Sequence, residues 1–226
     1  MNQMIINSTT IGVVISVMGY ELGLLLKRKF KSAIFNPLLI SIIFVICCLL
    51  LFRVDYDNYN KSAQYLSYLL TPATVCLAIP LYQQIKLLKE NVVAIFAGII
   101  SGLVFIFVFA LIFNFGHEEY VTLLPKSITT AIGMGISEEL GGYVTITVAV
   151  IIITGVLGNI CGEAVCKIFK ITNPVAKGIA LGTSSHAIGT AKAMEMGEVE
   201  GAMSSLAIVV SGLCTVVCAS VFANFL

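Results

Sequence analysis

The chain has 226 residues, of which 58% are hydrophobic and 11% charged, with a net charge of +1 and a mean hydropathy of +1.02. This balance excludes an ordinary soluble domain and a basic nucleic-acid surface, and it implies a protein whose main partner is the lipid bilayer. The seven cysteines lie almost all in apolar stretches with no CxxC or histidine-paired spacing. They read as small core side chains, and no metal, cofactor or enzyme signature accompanies them.

In chain order, apolar stretches fall at roughly 5–26, 37–52, 63–85, 91–113, 123–140, 143–165, 174–196 and 199–225. They are continuous rather than alternating, which predicts an all-α polytopic protein of seven or eight segments and not a β-barrel. The first stretch lacks a basic leader and is followed by Lys27, Arg28, Lys29 and Lys31, so it reads as a retained span with an external N-terminus. Arg53, Asp55, Asp57 and Lys61 then fall outside, Lys86 and Lys89 inside if the third segment crosses, and residues 116–119 outside on the same count. Continuing the count as full crossings would put Lys167, Lys170 and Lys177 outside. They return inside if residues 123–140 form a re-entrant hairpin.

Two segments share a layout: LLTPATVCLAIPLYQQ at 69–84 and LLPKSITTAIGMGISEELGG at 123–142. Each has a Leu-Leu before a proline, hydroxyls near it, and a polar exit. Proline breaks a helix inside an apolar segment, and paired broken segments point to an inverted repeat around a mid-membrane site. Pro72 and Thr74 in the first segment, and Ser127, Thr129 and Thr130 beside Lys126 in the second, are therefore substrate-binding candidates. Pro125 is expected to open the second helix. Glu138 and Glu139 fit either a coupling role within the membrane or an interfacial helix end.

Residues 181–196 read LGTSSHAIGTAKAMEM. Gly182 is a natural helix break, and Ser184 or Ser185 a natural cap for a new helix from about His186, whose free N–H groups would suit a carboxylate. Thr183, Ser184 and Ser185 would add hydroxyls to that substrate site. His186 fits either a coupled proton or a structural histidine. Lys192, with Glu195 three residues on, fits either substrate attraction or a solvated helix end.

KSITTAIGMGISEELGG together with NPVAKGIALGTSSHAIGTAKAMEMGEVEGAMSSLA closely resembles the LrgB/CidB family of bacterial inner-membrane proteins, and the resemblance covers essentially the whole chain as one domain, 1–226. The family extends to the C-terminal half of the plastid glycolate/glycerate translocator. The resemblance implies a non-enzymatic transporter of small carboxylates such as glycolate, glycerate or pyruvate, of elevator-like architecture. It would act with an LrgA/CidA-like partner and as a homo-oligomer, with a dimer as the expected form. The alternative it carries is a holin/antiholin-like protein that modulates murein hydrolase activity and cell lysis. On the transport reading, the breaks near 72, 125 and 182–186 should meet near mid-membrane.

Overall fold

The computed structural model describes residues 10–30, 35–69, 72, 82 and 85–226. Among the described residues every regular element is helical, and Lys89–Ile112, Val144–Ile168 and Glu198–Phe225 are long and apolar enough to cross a membrane. This is a polytopic all-α membrane protein. It divides into two compact units, Met1–Ile79 and Pro80–Leu226.

In the first unit, α1 (Ile11–Phe30) packs against α2 (Pro37–Phe52) and α3 (Tyr56–Ser67). Glycines on α1 permit the approach: a Cβ at Gly12 would meet Ser62, one at Gly19 Ser41, and one at Gly23 Pro37. Asn36 starts α2 by accepting from the Leu38 and Leu39 amides at 2.8 and 3.2 Å, ahead of Pro37 at the first helical position. Polar residues after Arg53 form the helix α3 rather than only a loop. Most of residues 69–84, including Thr74, lies outside the described residues.

The second unit holds α4 (Ile85–Ile112), α5 (His117–Leu123), α6 (Thr130–Glu139), α7 (Val144–Ile168), α8 (Pro174–Met196), α9 (Glu198–Phe222) and a short 3₁₀ turn, Ala223–Phe225. α9 is central: its apolar window is 44% buried against 22% for those of α4 and α7, and it packs on α4, α6 and α8.

Residues 117–142 form a re-entrant hairpin. At its base the Tyr143 amide donates to Thr122 Oγ1 at 2.8 Å, and Thr147 Oγ1 lies 2.8 Å from Thr122 O and 2.7 Å from Ser137 Oγ. α6 has only 10 residues, about 15 Å of rise or half a hydrocarbon core, too short to cross. Pro125 sits in the turn, and the second arm opens at Thr130 with Thr129 as its N-cap, five residues later than the proline suggested. The Ile128 amide donates to Pro125 O at 3.3 Å, so the proline shapes the turn that precedes the helix.

The larger departure from expectation is α8. Its backbone leaves helical geometry at Ser185 (φ −133°, ψ 16°) and His186 (φ 42°, ψ −142°), and the two halves fold back on each other. A Cβ at Gly178 would meet Glu200 O, and one at Gly201 would meet Met194 Cα. Gly178 and Met194 would be about 24 Å apart along a straight helix, so the second half returns to the side it entered from. Residues 174–196 therefore form a second re-entrant hairpin, not a crossing. Gly182, the expected break, stays helical and fits against Ser204 and Ala207.

Each hairpin is followed by a 25-residue span, α7 or α9. The first hairpin enters from the side where α4 ends, since Phe107 packs on Tyr120 and Phe225 with ring centroids 6.1 and 5.6 Å apart, and Tyr120 Oη donates to Phe222 O at 3.1 Å. The second enters from the opposite side, after α7 has crossed. Residues 117–168 and 174–222 are thus two hairpin-plus-span halves of inverted topology, and among the described residues the counterpart of 123–142 is 174–196. Lys86, Lys89, Lys167, Lys170 and Lys177 share one side, which the positive-inside tendency assigns to the cytoplasm. We call residues 117–142 the outer hairpin and 174–196 the inner hairpin.

Candidate functional site

The hairpin tips meet beside the middles of α4 and α9. Ser127 from the outer tip and Thr183 from the inner hairpin line one cavity of about 20 Å³ with Ser211 and Thr215 of α9, walled by Ile99, Gly102, Leu103 and Ile106 of α4 and by Leu124 and Ile128. The space holds about one water. Thr183 Oγ1 donates to Ile179 O at 2.8 Å, so it presents lone pairs to the cavity. Ser211 is 2% exposed, and its Oγ is buried with no hydrogen-bond partner among the described residues. A buried hydroxyl left unpaired costs on the order of 1–3 kcal/mol, so this one is poised for a guest.

Lys126 adjoins the cavity. Its ammonium donates to Ser127 Oγ at 3.0 Å, and among the described residues no carboxylate lies within ion-pair distance. A cation held inside a membrane protein without an acid attracts an anion. Thr129 and Thr130 follow in the same tip, both half-buried.

The inner hairpin is seated on α7 by its tip. Ser185 and His186 are 2% and 4% exposed. His186 Nε2 lies 2.9 Å from Ile151 O, and because a carbonyl only accepts, that nitrogen carries the proton. Glycines make the seat: a Cβ at Gly158 would collide with Ser185, and one at Gly155 with the imidazole. Thr190 Oγ1 donates to His186 O at 3.0 Å and lies 2.7 Å from Ser204 Oγ. Ser184 is exposed and its hydroxyl donates to Ala180 O at 2.6 Å, so it belongs to the first arm rather than capping a second.

Glu138, Glu139 and Lys192 lie apart from the cavity. Glu138 and Glu139 are exposed at the end of α6, at the external base of the outer hairpin. There the Tyr143 hydroxyl donates to Glu118, which pushes the phenol above its ordinary pKa. Lys192 lies at the cytoplasmic base of the inner hairpin, 2.8 Å from Glu163 and 3.7 Å from Glu195. Pro72 belongs to the first unit. Ser211 and Thr215 gave no sequence signal, because lone hydroxyls in a long apolar span read as ordinary packing; only a cavity opposite them marks them out.

A family model described as the LrgB-like family matches residues 16–225. The chain belongs to the LrgB-like family. It is 38% identical over 205 residues, 89% of this chain and 90% of the relative, to a holin-like protein CidB of Staphylococcus aureus strain Mu50. It is 37% identical to an antiholin-like protein LrgB of Bacillus cereus strain B4264, over 95% and 96% of the two chains. No solved structure matches the chain. This LrgB-like protein is accordingly a bacterial membrane protein, and its candidate site gathers opposed helix breaks, hydroxyls and one lysine that has no acid partner among the described residues. Such a set can replace part of an anion's water shell while the surrounding apolar wall excludes solvent.

Proposed function

We propose that this LrgB-like protein transports small carboxylates through alternating opening of its two hairpins. The observation that carries the reading is Lys126: an ammonium at the outer tip, without a carboxylate partner among the described residues and hydrogen-bonded to a hydroxyl of the cavity where the two tips meet. Lys126 supplies charge, and Ser127, Thr183, Ser211 and Thr215 supply hydrogen bonds. The cavity's volume fits a closed state, so a two- or three-carbon acid enters only when the tips part. Withdrawal of the outer hairpin opens the site outward and withdrawal of the inner one opens it to the cytoplasm, an elevator-like exchange about inverted halves. An LrgA/CidA-like protein or a second copy would brace the lipid-facing spans.

Proteoliposomes containing the protein, with and without an LrgA/CidA-like partner, should take up labelled glycolate or pyruvate saturably. Replacing Lys126 by Met should weaken half-saturation about tenfold or more, as expected for loss of a charged hydrogen bond worth about 1.5–3 kcal/mol, while Lys126→Arg should retain part of the affinity. Absence of saturable uptake in every arrangement, or a Lys126→Met variant equal to wild type, would refute the reading. The names of the relatives favour a second reading, a holin/antiholin-like role in lysis control. Release of an entrapped dye too large for any carboxylate site would support that role over transport.

A further inference from the structure

A second cavity, of about 660 Å³, lies at the cytoplasmic base of the inner hairpin, far from the small one between the tips. Its volume falls within the range of about 300–1,000 Å³ typical of small-molecule sites. Lys167, Lys170, Lys177 and Lys192 line it against Glu163, Glu195 and Glu200, so cations exceed acids. The two partners of Lys192 differ from it in access. The lysine side chain is 17% exposed, whereas Glu163 and Glu195 are 40% and 47% exposed. Glu163 is also shared, since Lys167 Nζ lies 2.9 Å from its other oxygen. The cation is therefore fixed in the wall, while the carboxylates that hold it face solvent and can be exchanged.

Position gives that exchange a consequence. Lys192 is on the returning arm of the inner hairpin and Glu163 is on α7, so their 2.8 Å contact fastens the arm to the span. Deeper in, the same arm is held by Asn159 Nδ2 donating to Ile188 O at 2.7 Å and by His186 at Ile151. The ion pair is the most solvent-accessible of these three ties.

We propose that this cavity is an anion-receiving vestibule in which a small carboxylate displaces Glu163 from Lys192 and thereby loosens the inner hairpin from α7. Occupation of the vestibule and opening of the hairpin are then one event, and an empty vestibule keeps the deep site closed on the cytoplasmic side. The proposal rests on the transport reading for its ligand class. Its readout is labelling rather than uptake, so each can fail alone.

Cys166 provides the probe. It lies on α7, is 4% exposed, and lines both the vestibule and the groove that runs up to Ser184 and Ser185. In purified full-length protein, labelling of Cys166 by a polar maleimide, followed by peptide mass spectrometry, should quicken severalfold in glycolate relative to chloride at equal ionic strength. Glu163→Gln should show the fast rate without glycolate, and Lys192→Met should lose the glycolate response. A wild-type rate that glycolate leaves unchanged or slows would overturn the proposal, as would a full response in Lys192→Met. Hydrogen exchange needs no variant: amides of residues 186–196 in the wild-type protein should exchange faster in glycolate, and unaltered exchange would overturn it equally.

Discussion

His186 carries two opposed contributions at one position. Its φ of 42° lies where a residue with a Cβ is strained, yet its ring ties the hairpin tip to Ile151. Alanine at this position keeps the strain and loses the tie, whereas glycine relieves the strain. Thermal unfolding in detergent should therefore rank wild type above His186→Gly, and His186→Gly above His186→Ala, with the alanine variant losing about 1–3 kcal/mol. An alanine variant more stable than the glycine variant would mean that the positive φ is not strained. The sequence pattern marked His186 as unusual but left its role open. A tie to the carbonyl of a residue 35 positions away leaves no trace in local spacing.

At the scale of elements, each hairpin has a closure specific to it. The outer one is closed at its base by Thr122, whose hydroxyl accepts from the Tyr143 amide. Thr122→Val keeps the shape, removes the acceptor and strands a partly buried donor, so it should destabilise the protein by about 1–3 kcal/mol. Hydrogen exchange should locate the loss at residues 140–144, and unchanged protection there would sink this account of the closure. The inner hairpin is closed at its tip, by glycines on α7. Gly158→Val would drive a branched side chain into Ser185, so it should unseat the tip and raise exchange across residues 181–190 more than anywhere else in α8. Re-entry was legible for 123–140, because the lysines after α7 needed an even number of crossings. It was not legible for 174–196: a kinked span and a hairpin carry the same hydrophobic pattern, and only packing partners tell them apart.

For the whole molecule, the two hairpins fix the topology. Single cysteines placed at Lys170 and Glu198 should both be modified from the cytoplasm, and one at Glu119 from outside, in a background lacking the native cysteines. If residues 174–196 crossed the membrane, positions 170 and 198 would be labelled from opposite faces. The same arrangement accounts for the charge distribution. Within the second unit, Lys86, Lys89, Lys167, Lys170, Lys177 and Lys192 gather on the face that receives the inner hairpin, while Glu118, Glu119, Glu138 and Glu139 stand at the base of the outer one.

The sequence alone determined the solvent, the helical class and the family, since hydropathy acts through compositional physics. It set the breaks only to within a few residues, at Gly182 and Pro125, whereas the chain turns at Ser185 and His186 and the helix opens at Thr130. It also marked Ser127 and Thr183, because hydroxyls at a break stand out against apolar neighbours. The tertiary structure alone decided which way the chain turns after His186, which halves are paired by inverted topology, and that Ser211 and Thr215 face both tips. Those outcomes depend on contacts between residues tens of positions apart, such as Gly158 with Ser185 and Gly178 with Glu200. A break in a helix frees the chain to change direction, but the direction is set by the surface that buries it.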